Sequence, residues 1–388
     1  MHPILLSTSI FYLAFRGLFS AWPFYFLGWL LAVGVFYYFK KQLPAHLRFF
    51  KTGWGLAVLS FLFWFSIAEI GLRISGKYST APELAEVPIL HILVTSYESP
   101  YTTHDHNGLM VYTPNLPAGY NNYGCSEFQY PKATNSMGLM DREWKREKTK
   151  KHRFVFLGDS YTEGVGSPFD SSFVNHFERM AGDTIEMLNA GVGSSDPFYE
   201  YVLFEKRIAD VYKPERIYIT MNATDITDVM TRGGMERFQP DGTVQYKTAP
   251  WWEFAYAVST ICRAAIQALY QPDWMLLTKA QEAEEKKIAV LKLETLLDQF
   301  QQAGKARGIQ VYFVFNPMPD DMQAGRLIET EPLLRYAQIK NYLTINLLQS
   351  FIQEGVNEKN RHLYFWPMNG HNKSEGYKLM AKGLLPSL

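Results

Sequence analysis

The strongest hydrophobic pattern in this chain lies near its start. From Gly17 to Phe39 it reads GLFSAWPFYFLGWLLAVGVFYYF without a charged residue, about the twenty-odd residues an α-helix needs to cross the hydrocarbon core of a bilayer. Trp22, Tyr25, Tyr37 and Tyr38 fall towards its ends, where amphipathic rings favour the headgroup level, and Pro23 falls in the first turns, where a missing N–H costs least. A second apolar run, 52–72, carries one charge, Glu69, near its far end. The pattern predicts a hairpin of two transmembrane helices, about 17–39 and 52–72, in a membrane segment 1–73. A cleavable leader fits less well, because the first run is too long for a signal h-region and no small-residue cleavage site precedes the second run. Lys40, Lys41, Arg48 and Lys51 crowd the connecting loop, which the positive-inside rule puts in the cytoplasm. Everything after Leu72 is then expected outside it, in the periplasm or cell exterior, with Glu69 a solvated carboxylate at the outer interface.

Residues 74–150 are rich in Pro, Gly, Asn and Tyr with little periodicity, and read as a linker followed by irregular, partly stranded structure. The triplet His104, Asp105, His106 lies in a loop setting without further ligands at metal-binding spacing, so a solvated loop is expected and no metal. From 151 to 388 apolar runs alternate with helical stretches, the signature of an α/β fold with a central parallel sheet. RFVFL (153–157), TIEMLNAG (184–191), RIYITMN (216–222) and IQVYFVFN (309–316) are its predicted strands. Two helical stretches separate the last two strands. One, WWEFAYAVSTICRAAIQALY, is aromatic-rich and expected to pack in the core, with the lipid interface as its alternative place. The other has Ile288, Leu291, Leu296, Leu297 and Phe300 at helical spacing and reads as a packing helix of the sheet.

Composition narrows the function classes. The chain of 388 residues carries 38 basic and 38 acidic side chains, a balance that argues against nucleic acid as partner. Two cysteines, Cys125 and Cys262, lack zinc-site spacing and are either a disulfide or two buried thiols.

The chemistry points to two segments. Strand RFVFL runs directly into GDSYTEG (158–164), so Ser160 falls where a parallel strand ends and a helix begins, the usual location of active sites in open α/β sheets. Unsatisfied backbone N–H groups at a helix start can stabilise an oxyanion. Near the other end, NGHNKSEG places His371 in a polar loop just before an amphipathic helix. A histidine so placed can take a serine proton as general base and return it to a leaving group.

These segments together resemble the SGNH or GDSL hydrolase superfamily, particularly its membrane-anchored bacterial members associated with exopolysaccharide and cell-wall acylation. The resemblance covers roughly 115–388 and includes NSMGLMDREW (135–144), similar to a stretch such proteins carry before the first strand. It implies an SGNH-type, flavodoxin-like three-layer domain over 151–388, with Ser160 as nucleophile, His371 as base and Asp159 supporting the turn. The middle blocks depart from the family. NAGVGSSD offers Gly193 or Ser194 as oxyanion amide. ITMNATDITD has Asp225 matched but Thr224 where the family has Asn, with Asn222 two residues earlier as a possible substitute donor on the same strand face. Asn369 stands where the family has an Asp two residues before the His, and an amide can orient imidazole without stabilising imidazolium by charge. Asp320 and Asp321 are the alternative acids.

The resemblance implies a membrane-tethered extracytoplasmic serine esterase or O-acyltransferase that acts on an acylated glycan or lipid, through an acyl-Ser160 intermediate and without metal or organic cofactor. A transferase would take its acyl group from a multi-spanning membrane acyltransferase partner. Two alternatives remain open at this point: a catalytically degenerate domain that binds polymer or scaffolds a membrane complex, motivated by Thr224 and Asn369, and a lysophospholipase or thioesterase.

Overall fold

The computed structural model describes residues 53–75, 102–104, 110–117, 121–124, 127–239, 251–252, 255–256, 259–271 and 277–388. The first predicted span, 17–39, lies outside the described residues, as do Asp105, His106 and Cys125. The second coincides with helix α1 (Gly53–Ser75). Among the described residues no helix is long and apolar enough to cross a membrane.

Two compact units emerge. One comprises the described residues of 1–96 and 248–282, the other those of 97–247 and 283–388. The second unit opens with two small antiparallel hairpins, β1 (Thr102–His104) with β2 (Met110–Tyr112) and β3 (Asn121–Gly124) with β4 (Gln129–Lys132). Its five-stranded sheet contains β5 (His152–Gly158), β6 (Ile185–Gly191), β7 (Arg216–Met221), β8 (Gln310–Phe315) and β9 (Leu343–Asn346), all parallel, in the order β6-β5-β7-β8-β9. The four predicted strands are there. The fifth, β9, was not predicted, because a four-residue, half-exposed edge strand carries no sustained apolar run. The chain enters the sheet at β5, steps to β6 on one side and returns to β7 on the other, so β5 is the point where the winding direction switches. Ligand sites of open α/β sheets lie at the carboxyl ends of strands at such a point.

β5, β6 and β7 are buried along nearly their whole length because helices cover both faces. Phe156, Tyr218 and Tyr312 are register partners on three adjacent strands and stack in a ladder, with ring centroids 4.5 and 4.8 Å apart. Helix α2 (Ser160–Glu163) follows β5 directly. Over the ladder lies α3 (Phe173–Ala181), whose Phe173 and Phe177 meet Phe156 edge-on. After β7 comes α4 (Ala223–Arg232). The predicted packing helix is α6 (Lys279–Arg307), reached after α5 (Thr260–Tyr270). Gly304 of α6 approaches Val311 so closely that an added Cβ would come within 2.4 Å of its side chain, which puts this helix on the face opposite the ladder. Its buried stripe is Ala289, Leu293, Leu296, Leu297 and Phe300. Ile288 and Leu291, expected in the stripe, are exposed instead, because the buried positions follow a line of small and leucine side chains one residue over. Helix α7 (Ser374–Leu384) packs on α3.

The upstream NSMGLMDREW stretch proves to be a buried brace. Asn135 Oδ1 accepts from the Met137 and Leu139 amides, while Asp141 Oδ2 accepts from the Trp144 indole and the Asn189 amide of β6. Burial pushes the Asp141 carboxyl up to about 6. Arg153 of β5, fully buried, ties down the segment that follows: its guanidinium pairs with Glu186 at 2.7 Å and donates to the carbonyls of Lys145, Arg146, Glu147 and Tyr212.

The first unit corrects one expectation, the one for Glu69. The described residues of the aromatic stretch 251–270 form a compact unit with α1, Trp252, Tyr256 and Ile266 are buried together in it, and helix α5 begins only at Thr260, after the Ser259 cap. Glu69 is not a free solvated carboxylate. Its side chain is 14% exposed, pairs with Arg73 at 2.7 Å, and accepts from Ser259 Oγ and the amides of Thr260 and Ile261 at the start of α5. A carboxylate satisfies several orphan donors at once there and complements the positive end of the helix dipole. Cys262, in the first turn of α5, is a free thiol.

Candidate active site

The site is built at the carboxyl ends of β5, β6 and β7. Asp159 caps α2 by accepting the Tyr161 amide at 2.9 Å, which turns the chain sharply out of β5 and leaves Ser160 half-buried at the first helical position. The short helix lies against the end of β6: a Cβ on Gly191 would come within 2.1 Å of the Glu163 nitrogen, so only glycine fits there. Asn189 fixes the approach, with its amide donating to the Thr162 carbonyl and its carbonyl oxygen accepting from the Gly191 amide.

His371 reaches Ser160 from the far end of the chain. Its loop closes through Trp366 N–H to the His371 carbonyl and Gly370 N–H to the Trp366 carbonyl, both at 2.8 Å. The Trp366 indole donates to the Gly166 carbonyl at 2.8 Å, which pins the loop to the segment just after α2. Gly166 has φ +98°, and a Cβ on it would come within 2.6 Å of the Asn372 carbonyl, so the loop is seated directly on a glycine. Glu127 completes the support by accepting the Met368 and Asn369 amides at 2.7–3.1 Å.

Held this way, His371 Nε2 is 2.7 Å from Ser160 Oγ and Nδ1 is 2.5 Å from Asn369 Oδ1. With Nδ1–H donating to the amide oxygen, the Nε2 lone pair faces the serine hydroxyl, the tautomer a general base needs. The imidazole stacks on Tyr161, with centroids 4.6 Å apart. Burial pulls its pKa down to about 4, opposed by the nearby charge of Glu163. The base is therefore neutral through the whole neutral range. Asp320 and Asp321 do not bond the imidazole: Asp321 accepts the Met318 and Ile328 amides, and Asp320 is exposed, 3.9 Å from Arg361.

The residues expected at an oxyanion site are engaged otherwise. Asn222 is fully buried and caps α4; its amide donates to Asp159 at 2.9 Å and its carbonyl oxygen accepts from the Thr224 amide, so it is an internal link and not an open donor. Thr224 Oγ1 lies 2.7 Å from Asn222 Oδ1 and 3.2 Å from Asp159 Oδ2, a hydroxyl shared inside the same network. Asp225 accepts the Asn222 amide and closes a capping box. Ser194 is exposed with φ 63°, and its carbonyl accepts from Arg232. Gly193 presents its N–H inward, but to Glu163: the carboxylate accepts that amide at 2.6 Å and the Tyr112 hydroxyl at 2.8 Å.

Beneath the nucleophile, Asp159, Glu200 and Asp225 are buried carboxyls raised above the ordinary range by desolvation and, for the last two, by the charge of Asp159. Ser195 Oγ connects Glu200 to the Gly158 carbonyl. Glu163 lies within the GDSYTEG block, but its link to Gly193 and Tyr112 has no signal in that block. Tyr112, Glu127 and Trp366 carried no sequence signal, because each acts through a contact 51 or more residues away: Tyr112 to Glu163 spans 51, Trp366 to Gly166 spans 200, and Glu127 to Met368 spans 241.

No family model and no curated protein matches the chain. Among solved structures it is similar to a member of the lipolytic protein G-D-S-L family from Veillonella parvula, at 14% identity over 61% of this chain and 97% of that one, with a TM-score of 0.38. It is also similar to TesA, at 13% identity over 61% and 98% of the two chains and a TM-score of 0.36. An acetyl xylan esterase, AlAXEase, is similar at 14% identity over 61% and 99%, with a TM-score of 0.36.

Proposed function

We propose that this protein is a serine esterase or O-acyltransferase, tethered to a membrane by its N-terminal segment, with its α/β unit outside the cytoplasm. The observation that carries the chemistry is the relay from Ser160 Oγ through His371 to Asn369 at the switch point of the sheet. In the first step Oγ attacks an acyl carbonyl carbon while Nε2 takes the hydroxyl proton; the imidazolium then gives that proton to the departing alkoxide, leaving acyl-Ser160. In the second step an acceptor hydroxyl, from water or a sugar, loses its proton to His371 and attacks the acyl carbon, and Ser160 leaves with the proton returned. Acylated glycan or lipid fits this chemistry, and a multi-spanning acyltransferase would be the acyl source for transfer. Tethering is supported by the uncharged run 17–39.

The degenerate-domain reading is favoured by the Gly193 amide already engaged by Glu163, by Asn222 and Thr224 bonded to Asp159, and by Asn369 in place of an acid beside His371. Labelling of the full chain in detergent by a fluorophosphonate probe decides between the two. Labelling that disappears in Ser160→Ala and in His371→Ala supports the enzyme. A folded wild-type chain that stays unlabelled points to a binding or scaffold subunit. Turnover of acetylated against long-chain esters then separates glycan deacylation from lipid hydrolysis.

A further inference from the structure

The described residues of 248–282, which follow α4 in the sequence and run into the first turn of α6, belong to the same compact unit as α1. Three features describe this insert. It is closed on itself by aromatic rings: Trp252 stacks on Tyr270, packs against Tyr256 and is buried with Tyr256 and Ile266, while the Tyr256 hydroxyl and carbonyl accept from Gln267 and Arg263 of α5. It is fastened to α1 by Glu69, which takes the first donors of α5. And three of its large apolar side chains stay outside: Trp251 is 88% exposed, Leu269 75% and Tyr270 44%. On α1, Phe61, Leu62, Trp64 and Ile74 are exposed as well.

A self-closed insert surrounded by water has no need to leave Trp251, Leu269 and Tyr270 uncovered. Patches of this kind on soluble surfaces mark an interaction site. The occupant is indicated by continuity and by charge. The exposed side chains sit in the same unit as α1, which follows the uncharged run 17–39 in the sequence, and α5 carries one basic residue, Arg263, and no carboxylate. Trp and Tyr beside Leu, with isolated basic groups, is the composition that settles at the headgroup and acyl boundary of a bilayer. We infer that Trp251 and helix α5, through Leu269 and Tyr270, form a second membrane contact, a lipid-facing element that the chain sends back from the α/β unit and that Glu69 staples to α1. The inference rests on the tethered reading above and adds to it: the polypeptide meets the bilayer again between two strands of the catalytic sheet. An enzyme attached at two points in its sequence would work on acyl groups close to the membrane surface.

The test uses the full chain reconstituted in phosphatidylcholine vesicles. Flotation is read first. Tryptophan emission is then compared between wild type and Trp251→Phe, and the difference, which reports Trp251 among the nine tryptophans, is measured with brominated phosphatidylcholine and with aqueous iodide. The expected result is a difference emission quenched by the brominated lipid and indifferent to iodide. In Glu69→Ala the difference should become open to iodide while flotation persists. A chain that fails to float would sink the tether and this inference together. Flotation with a Trp251 signal quenched by iodide alone would sink the inference and leave the tether standing. Lipid quenching that survives Glu69→Ala would overturn the role given to Glu69.

Discussion

Replacing Asn369 with Asp tests the relay most directly. In the structure the Asn369 oxygen accepts the His371 Nδ1 proton at 2.5 Å, so orientation is already supplied and only the charge is missing. A carboxylate there would face the imidazolium at hydrogen-bond distance. Coulomb attraction at 4 Å is about 4 kcal/mol at an effective dielectric of about 20, but Asn369 is exposed and Glu127 already sits on its backbone amide. Solvent screening and that second anion reduce the gain to about 1.4–2.8 kcal/mol, or roughly 10- to 100-fold in kcat. The same charge should raise the His371 pKa from about 4 by about one to three units. Both effects are read from kcat and kcat/KM for a p-nitrophenyl ester across the acid and neutral range, and the acid limb should move to higher pH as the plateau rises. If Asn369→Asp binds the substrate but leaves both plateau and limb where they were, then either His371 is not the base or position 369 does not bear on it.

Wild-type activity should rise with pH through about 4, where the imidazole loses its proton, and stay flat to neutrality; a limb near the ordinary histidine value would show that burial does not depress this group. Glu163→Ala removes the acceptor from the Gly193 amide, and since a hydrogen bond to a charged acceptor is worth about 1.5–3 kcal/mol, freeing that donor should raise kcat/KM about tenfold. A comparable fall would instead make Glu163 a support of the loop. Gly166→Ala forces a Cβ to within 2.6 Å of the Asn372 carbonyl at φ +98°; a cost of about 1–3 kcal/mol should appear as a lower Tm and a weaker fluorophosphonate reaction, and an unchanged Tm would refute the close seating of the loop. Arg153→Met leaves Glu186 buried without its partner, which should cost about 3–5 kcal/mol in urea unfolding, whereas a loss under about 1 kcal/mol would show that the pair behaves as an exposed one.

Much of the fold was legible because parallel strands buried on both faces are written as unbroken apolar runs. RFVFL, TIEMLNAG, RIYITMN and IQVYFVFN needed no tertiary information, and RFVFL running into GDSYTEG already put Ser160 at a strand-to-helix turn. NGHNKSEG, read with it, named the base. These are local signals, carried by side-chain periodicity and by glycines that the turns require. What only the tertiary structure decided is where the polar side chains spend their hydrogen bonds. Asn222 had the right strand position for a donor but gives its amide to Asp159, and Gly193 has the right backbone position but is held by Glu163. Glu69, one charge in an apolar run, looked like a residue meant for water until Ser259, Thr260 and Ile261 were found on its carboxylate some 190 residues further on. Periodicity tells which face of an element is apolar; it does not tell which distant donor a buried carboxylate or amide will meet, because that depends on how the chain closes on itself in space.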